Sequence, residues 1–213
     1  MRLRDSCVYH YENEQLKILV CEADKHALTE LYQHQKHNYA IPNLRLLQSN
    51  GVYQILRELD PEIERLTIEK DIHGKPFFKE ATWHFSVSHS GNLLTAILSK
   101  NRPVGVDIQQ LDHKVLRVAP KFLTPDEINF INSTHRVLQT TTCWCAKEAI
   151  FKLYGKHDIS LKTNIHLQPF IFCEQGGSFD ATLCTQTELQ PIKIKYEMLG
   201  NYVLAYTTLT KNL

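Results

Sequence analysis

The sequence lacks the features that would assign it to a membrane, to nucleic acid or to a metal-stapled fold. No apolar run reaches the length of a bilayer-spanning helix. Neither sign of charge dominates: 24 lysines and arginines face 23 aspartates and glutamates, so net charge gives no reason to expect a polyanionic partner. The N-terminal Met1-Arg2-Leu3-Arg4-Asp5 is basic, but no signal-like apolar core follows it, and a cytoplasmic location is expected. Cys7, Cys21, Cys143, Cys145, Cys173 and Cys184 form no pair of CxxC motifs. They argue against structural zinc and read as reduced, mostly buried thiols. Short-period repeats, low-complexity linkers and a GxSxG nucleophile elbow are also missing. His34 and His37 can share a helix face, but no third ligand stands near them, and they read as solvated histidines.

What is present is an ordinary mixture of apolar and polar segments over 213 residues, enough for a sizeable core. Leu16 to Cys21 reads as a strand, and Ala27 to Lys36 and Val52 to Leu59 as helices, with Asn50-Gly51 punctuating the interval. His73-Gly74-Lys75-Pro76 is a loop. Trp83 to Ser88 alternates like a strand, and Leu93 to Leu98 with Val104 to Ile108 is predicted to form a hairpin. Thr124-Pro125-Asp126-Glu127 carries a helix start: a capping threonine, a proline suited to the first turn, and a glutamate completing a capping box. A helix follows from about Thr141 to Tyr154, ending near Gly155, and a hairpin joins Ile192 to Met198 with Tyr202 to Leu209 around Gly200-Asn201. The class expected is α+β.

Three segments carry chemistry. Val104-Gly105-Val106-Asp107 ends an apolar strand on an acid, with a glycine that permits close approach. Trp144-Cys145-Ala146-Lys147-Glu148-Ala149-Ile150-Phe151-Lys152 puts Glu148 and Lys152 on one helix face. Phe85-Ser86-Val87-Ser88-His89-Ser90 runs a strand into a polar turn. Two converging carboxylates, Asp107 and Glu148, suit magnesium, which takes one or two protein carboxylates and completes its shell with water and phosphate oxygens. Each acid alone reads as a solvated surface group. Lys152 reads either as an ion pair with Glu148, worth about 0.2–0.5 kcal/mol, or as a phosphate contact. Ser88 and His89 can donate to phosphate oxygens. Lys75 alone would be a turn lysine.

Taken in order, Gly74-Lys75-Pro76, Ser88-His89-Ser90, Val104-Gly105-Val106-Asp107 and Trp144 to Lys152 resemble the signature of the Sfp-type 4′-phosphopantetheinyl transferases. The resemblance covers roughly residues 73 to 156. It implies two similar α+β halves related by a pseudo-two-fold axis, here 1–102 and 103–213, the second carrying the metal and phosphate signature. It further implies magnesium on Asp107 and Glu148, and coenzyme A as substrate between the halves. Phosphate contacts would come from Ser88, His89 and Lys152, and nucleotide contacts from His73 and Lys75. Glu148, Lys152 and Asp107 would be catalytic, the acceptor an apo acyl or peptidyl carrier protein, and the enzyme a monomer. Two departures stand out. Gln109 occupies a position where many members carry a second acid, so a water is expected in its place. The basic segment that grips the 3′-phosphate has no matched motif, leaving Lys36 and Arg45 as candidates. The competing readings are a non-catalytic coenzyme A or carrier-protein binding module of the same fold, and a metal phosphohydrolase.

Overall fold

The structure, a computed structural model, describes residues 3–36, 43–79 and 81–209, without the side chains of Arg4, His34, Gln35, Lys36 and Arg45. His37, half of the histidine pair, lies outside the described residues, as do the side chains of Lys36 and Arg45. Among the described residues no helix is long and apolar enough to cross a membrane.

Alternating apolar positions build two antiparallel sheets. The first contains β1 (Cys7–Glu12), β2 (Leu16–Glu22), β5 (His84–Ser90) and β6 (Leu93–Ser99), in the order β1-β2-β6-β5. The second contains β7 (Val104–Gln110), β8 (Ile165–Leu167), β9 (Gly177–Cys184), β10 (Leu189–Leu199) and β11 (Tyr202–Thr208), in the order β7-β11-β10-β9-β8. A two-stranded ribbon, β3 (Ile68–Lys70) with β4 (Pro76–Phe78), carries the 71–75 turn. Helices α1 (Lys25–Lys36) and α2 (Leu44–Leu59) belong to the first half; α3 (Lys114–Phe122), α4 (Pro125–Asn129) and α5 (Arg136–Tyr154) to the second.

The strand faces decide the layering. On β2 and β6, Leu19, Cys21, Leu94, Ala96 and Leu98 point toward α1 and α2, while Ile18, Val20, Leu93 and Ile97 point the other way. There they meet Val104, Val106, Ile108, Leu204 and Tyr206 of the second sheet. The far face of that sheet packs Val203, Ala205, Ile194 and Tyr196 against Cys143, Ala146, Ile150 and Leu153 of α5. The result is helices, sheet, sheet, helices, with a dry layer between the sheets. At one edge the junction is polar. Ser86 Oγ accepts from the Val106 amide at 3.2 Å and Ser90 Oγ from the Gln110 amide at 3.0 Å, so alternate serines of β5 satisfy the edge of β7.

The expected α+β class holds, as do the capping box at Thr124 and Glu127 and the hairpin of β10 with β11. The halves share a plan, an antiparallel sheet covered by a long helix, but not a strand order. Two expectations fail. Leu93 to Leu98 and Val104 to Ile108 do not form a hairpin: both edges of β6 are taken by β2 and β5, and β7 pairs with β11. The Ser99–Pro103 link is a crossover between sheets. The Asn50-Gly51 pair does not precede a helix but lies inside α2. A Cβ at Gly51 would come within 2.7 Å of Leu94 Cδ1 and 2.8 Å of Leu28 Cδ2, so the glycine serves close packing of α2 on β6 and α1. α3 was not predicted at all, and Pro120 stands within it.

Gly105 makes the tightest approach. A Cβ there would overlap the carbonyl oxygen of Ala149 and lie 2.9 Å from its carbonyl carbon and from the Leu153 nitrogen, all backbone atoms of α5. Gly105→Ala must therefore displace the helix. We expect it to lower stability by about 3 kcal/mol, at the upper end for overpacking, read as a fall in the denaturation midpoint. A change below about 0.5 kcal/mol would mean that α5 yields freely.

Candidate active site

Alternation on β7 aims the acid. With Val104, Val106 and Ile108 committed to the layer between sheets, Gly105, Asp107 and Gln109 take the opposite face, under α5. Asp107 is only 6% exposed. Its Oδ1 accepts from Ser88 Oγ and from Lys152 Nζ, each at 2.7 Å. Lys152 donates in addition to the Val106 carbonyl at 3.1 Å. One carboxylate thus ties β5, β7 and α5 together.

The ion pair of Lys152 is with Asp107, not with Glu148 on its own helix as one sequence reading had it. The reason is the Gly105 approach, which brings the last turns of α5 down onto β7, where a buried carboxylate and a carbonyl offer two acceptors at once. Glu148 faces the same cleft one turn earlier. Burial pushes its carboxyl above the usual range, the neighbouring charge of Asp107 adds to this, and Lys152 opposes it.

A cleft of ≈ 420 Å³ is lined by Ser88 and His89 of β5, Asp107 and Gln109 of β7, and Trp144, Glu148 and Lys152 of α5. Ser49, Val52 and Tyr53 of α2 close it. A smaller cavity of ≈ 220 Å³ adjoins, sharing Val87 and Lys152, with His73, Lys75, Pro76, Phe85, Phe151 and His157 in its walls. All seven residues singled out from the sequence therefore lie in two contiguous spaces: Asp107, Glu148, Lys152, Ser88 and His89 in the larger, His73 and Lys75 in the smaller. The contribution of α2 was missed. Ser49, Val52 and Tyr53 share one helix face, a signal hidden once Asn50-Gly51 had been read as a break.

Lys147, the other lysine of the helical motif, is not at the site. It is fully buried and donates to Glu127 Oε2 at 2.8 Å, Ile165 O at 2.7 Å and Leu161 O at 3.0 Å. Glu127 in turn accepts from the Thr124 and Leu167 amides, each at 2.8 Å. This node fixes α4, α5 and β8 to one another.

The donor set fits magnesium by its chemistry. Two carboxylates face one cleft, and burial first, then the charge of Asp107, raises the pKa of Glu148, a penalty on the second negative charge that a divalent cation relieves. Among the described residues no group of three or more candidate ligands exists, and magnesium requires none, since it keeps waters and takes phosphate oxygens.

Residues 103–207 match the family model of the 4′-phosphopantetheinyl transferase superfamily. Over this stretch, just under half of the chain, the sequence is similar to that superfamily. It is similar to proteins named as 4′-phosphopantetheinyl transferases in Bacillus pumilus (32% identical over 98 residues, 44% of this chain and 42% of the relative). Others are found in Aneurinibacillus migulanus (29% over 105 residues, 48% and 44%) and Bacillus subtilis (30% over 88 residues, 39% and 39%). The matched stretch thus spans less than half the length of these relatives. The matched stretch contains β7 with Asp107 and α5 with Glu148 and Lys152, and the two elements meet at Gly105.

The raised Glu148 pKa has a sign that can be measured. A carboxyl whose pKa the fold raises adds stability below its unfolded pKa of about 4.3 and loses it as pH rises through the folded value. In metal-free buffer, Glu148→Gln should therefore melt above the parent protein at pH 7, with the difference vanishing toward pH 4. A variant that melts lower than the parent at pH 7 would show that the carboxylate is stabilised, not penalised, by its surroundings.

Proposed function

We propose that the chain transfers 4′-phosphopantetheine from coenzyme A to a serine hydroxyl of an apo acyl or peptidyl carrier protein. The observation that carries this reading is the convergence of Asp107, Glu148, Lys152, Ser88 and His89 on one cleft between the two sheets. The relatives' names support the reaction class. In this reading residues 1–102 and 103–213 act as two halves of a cytoplasmic monomer, with coenzyme A lying between them.

The serine oxygen forms a bond to the β-phosphorus of coenzyme A, which bears pantetheine. The bond from that phosphorus to the bridging oxygen breaks, and 3′,5′-adenosine diphosphate leaves. Glu148 takes the serine proton. Burial and the Asp107 charge raise its proton affinity, which makes it a stronger base than a solvated carboxylate. Lys152 holds an ammonium where negative charge gathers on the departing phosphate. His89 donates to phosphate oxygens and orients them; Ser88 joins it only by turning its single hydroxyl proton from Asp107 to the phosphate. The adenosine end would lie in the smaller cavity beside His73 and the 73–76 loop. Asp107 and Glu148 would hold magnesium, which would supply Lewis-acid neutralisation of phosphate charge. Gln109 lines the cleft and brings no third charge, so a water is expected where other members carry an acid.

Incubation with coenzyme A, magnesium and a panel of apo carriers, followed by intact mass, tests the proposal. We expect one phosphopantetheine added to at least one carrier. Coenzyme A binding without mass gain would favour the non-catalytic module, and release of 3′,5′-adenosine diphosphate without an acceptor would favour the phosphohydrolase.

Lys152 separates structural from chemical roles by turnover, not by stability. Its removal leaves the buried Asp107 carboxylate short of a donor, so Lys152→Ala should cost about 1–3 kcal/mol of stability, more than a solvated helix pair would. Assayed well below its melting point, the variant should modify carrier about a hundredfold or more slowly. Lys152→Arg should regain little, because the planar guanidinium cannot match an ammonium seated between one carboxylate and one carbonyl. Near-parental turnover by Lys152→Ala would remove the lysine from the chemistry.

A further inference from the structure

The 71–76 loop is locked to the end of α5. Asp71 Oδ1 accepts from the amides of His73 at 2.8 Å and Lys75 at 2.9 Å, and the Asp71 amide donates to the Lys75 carbonyl at 3.0 Å. That turn delivers Lys75 across 78 residues of sequence to the Leu153 carbonyl, which accepts from Nζ at 2.7 Å. A second clasp lies beside it. His157 Nε2 stands 2.7 Å from the His73 carbonyl, and since a carbonyl only accepts, Nε2 carries the proton.

The position of Leu153 gives this contact its meaning. α5 ends at Tyr154, so the Leu153 carbonyl is among the last four of the helix, which have no intrahelical donor. The Phe151 carbonyl is satisfied by the Gly155 amide at 2.9 Å. Leu153 receives an ammonium from the other half of the molecule, at the negative end of the helix. The seat is fitted to it. Gly155 is left-handed, φ 77°, and a Cβ there would overlap Lys75 Cδ and come 3.0 Å from its Nζ. Burial lowers the Lys75 pKa, with Asp71 opposing. Leu153 directly follows Lys152, whose own ammonium must meet Asp107 and the Val106 carbonyl together.

We propose that Lys75 is a positioning residue, which fixes the last turn of α5 from the N-terminal half and thereby holds Lys152 on the Asp107 side of the cleft, instead of serving as a ligand of the nucleotide. A phosphate drawing Lys75 to itself would uncover a helix-terminal carbonyl and would approach the negative end of α5, so ligand and cap are competing uses of one ammonium. The consequence for turnover rests on the transferase reading; the consequence for α5 does not.

Three measurements on Lys75→Met and Lys75→Arg test this: amide hydrogen exchange over residues 152–157, coenzyme A affinity by calorimetry, and kcat and KM for carrier modification. Methionine keeps much of the stem against Gly155 and removes the donor. For Lys75→Met we expect faster exchange confined to that turn, coenzyme A affinity within about threefold of the parent, and kcat lowered about tenfold or more at unchanged KM, the signature of a misplaced catalytic group. Lys75→Arg, which retains a donor for the Leu153 carbonyl, should recover part of kcat and slow the exchange again. Coenzyme A affinity reduced more than about tenfold with unchanged exchange would overturn the proposal in favour of a nucleotide ligand. Faster exchange with unchanged kcat would reduce Lys75 to a structural cap and overturn it as well. Should the parent protein modify no carrier, the transferase reading falls, and unchanged exchange in Lys75→Met still refutes the clasp. If Lys75→Met does not fold, Lys75→Arg and His157→Ala carry the same comparisons.

Discussion

The approach of β7 to α5 at Gly105 is the constraint on which the site depends. Backbone meets backbone there, with the carbonyl of Ala149 lying where any side chain on residue 105 would begin. Sequence spacing does the rest. Asp107 lies two residues along the strand and so on the same face. Glu148 adjoins Ala149, and Lys152 lies three residues further, on the next turn. One sterically defined contact therefore sets the separation of the acid on the strand from the acid and ammonium on the helix. A larger residue would lift α5 and draw Lys152 away from both of its acceptors.

The second requirement is that the halves stay together where the cleft opens. Between the sheets an apolar layer supplies non-directional adhesion, which tolerates sliding. Direction comes from the serines of β5, which bond the edge amides of β7 and, through Ser88, Asp107 itself. Ser88 and Lys152 share one carboxylate oxygen at equal distance. A buried ion pair is weak evidence of net stabilisation, since desolvating two charges offsets most of their attraction. Its effect here is geometric: it fixes where a carboxylate and an ammonium stand in a cleft that narrows solvent access.

Local chemistry was legible in the sequence wherever its partners were local. The capping box at Thr124 is satisfied within three residues, and the turn at Gly200-Asn201 needs only its own hairpin. That the acids and Lys152 would face one cleft was legible because an ordered series of motifs carried the resemblance. Partner choice was not. Nothing in Ser99 to Pro103 tells a hairpin from a crossover; the answer lies in β2, some eighty residues upstream of the strand it displaces, occupying the edge that β7 would have taken. Gly51 reads locally as a helix break and is instead a packing site, because the cost of glycine in a helix, about 1 kcal/mol, is small beside a clash with Leu28 and Leu94. The mouth residues Ser49 and Tyr53 went unseen for the same reason.

Three lysines show how alike residues divide the work of holding one helix. Lys147 and Lys152 are five residues apart, a rotation of about 140°, so they leave α5 on different sides. Lys147 meets Glu127 and two carbonyls in a fully buried pocket with every donor satisfied, an arrangement that fixes the rotation of α5 about its axis. Lys152 meets Asp107 and one carbonyl at the edge of a cleft, with 28% of its side chain exposed and a proton free to turn toward a ligand. Lys75 comes from outside and stops the last turn from fraying. A helix fixed in rotation by one cation and at its end by another presents the third at a definite place. Chemistry on a phosphate, where a displacement of about 1 Å costs about a hundredfold in rate, requires that definition.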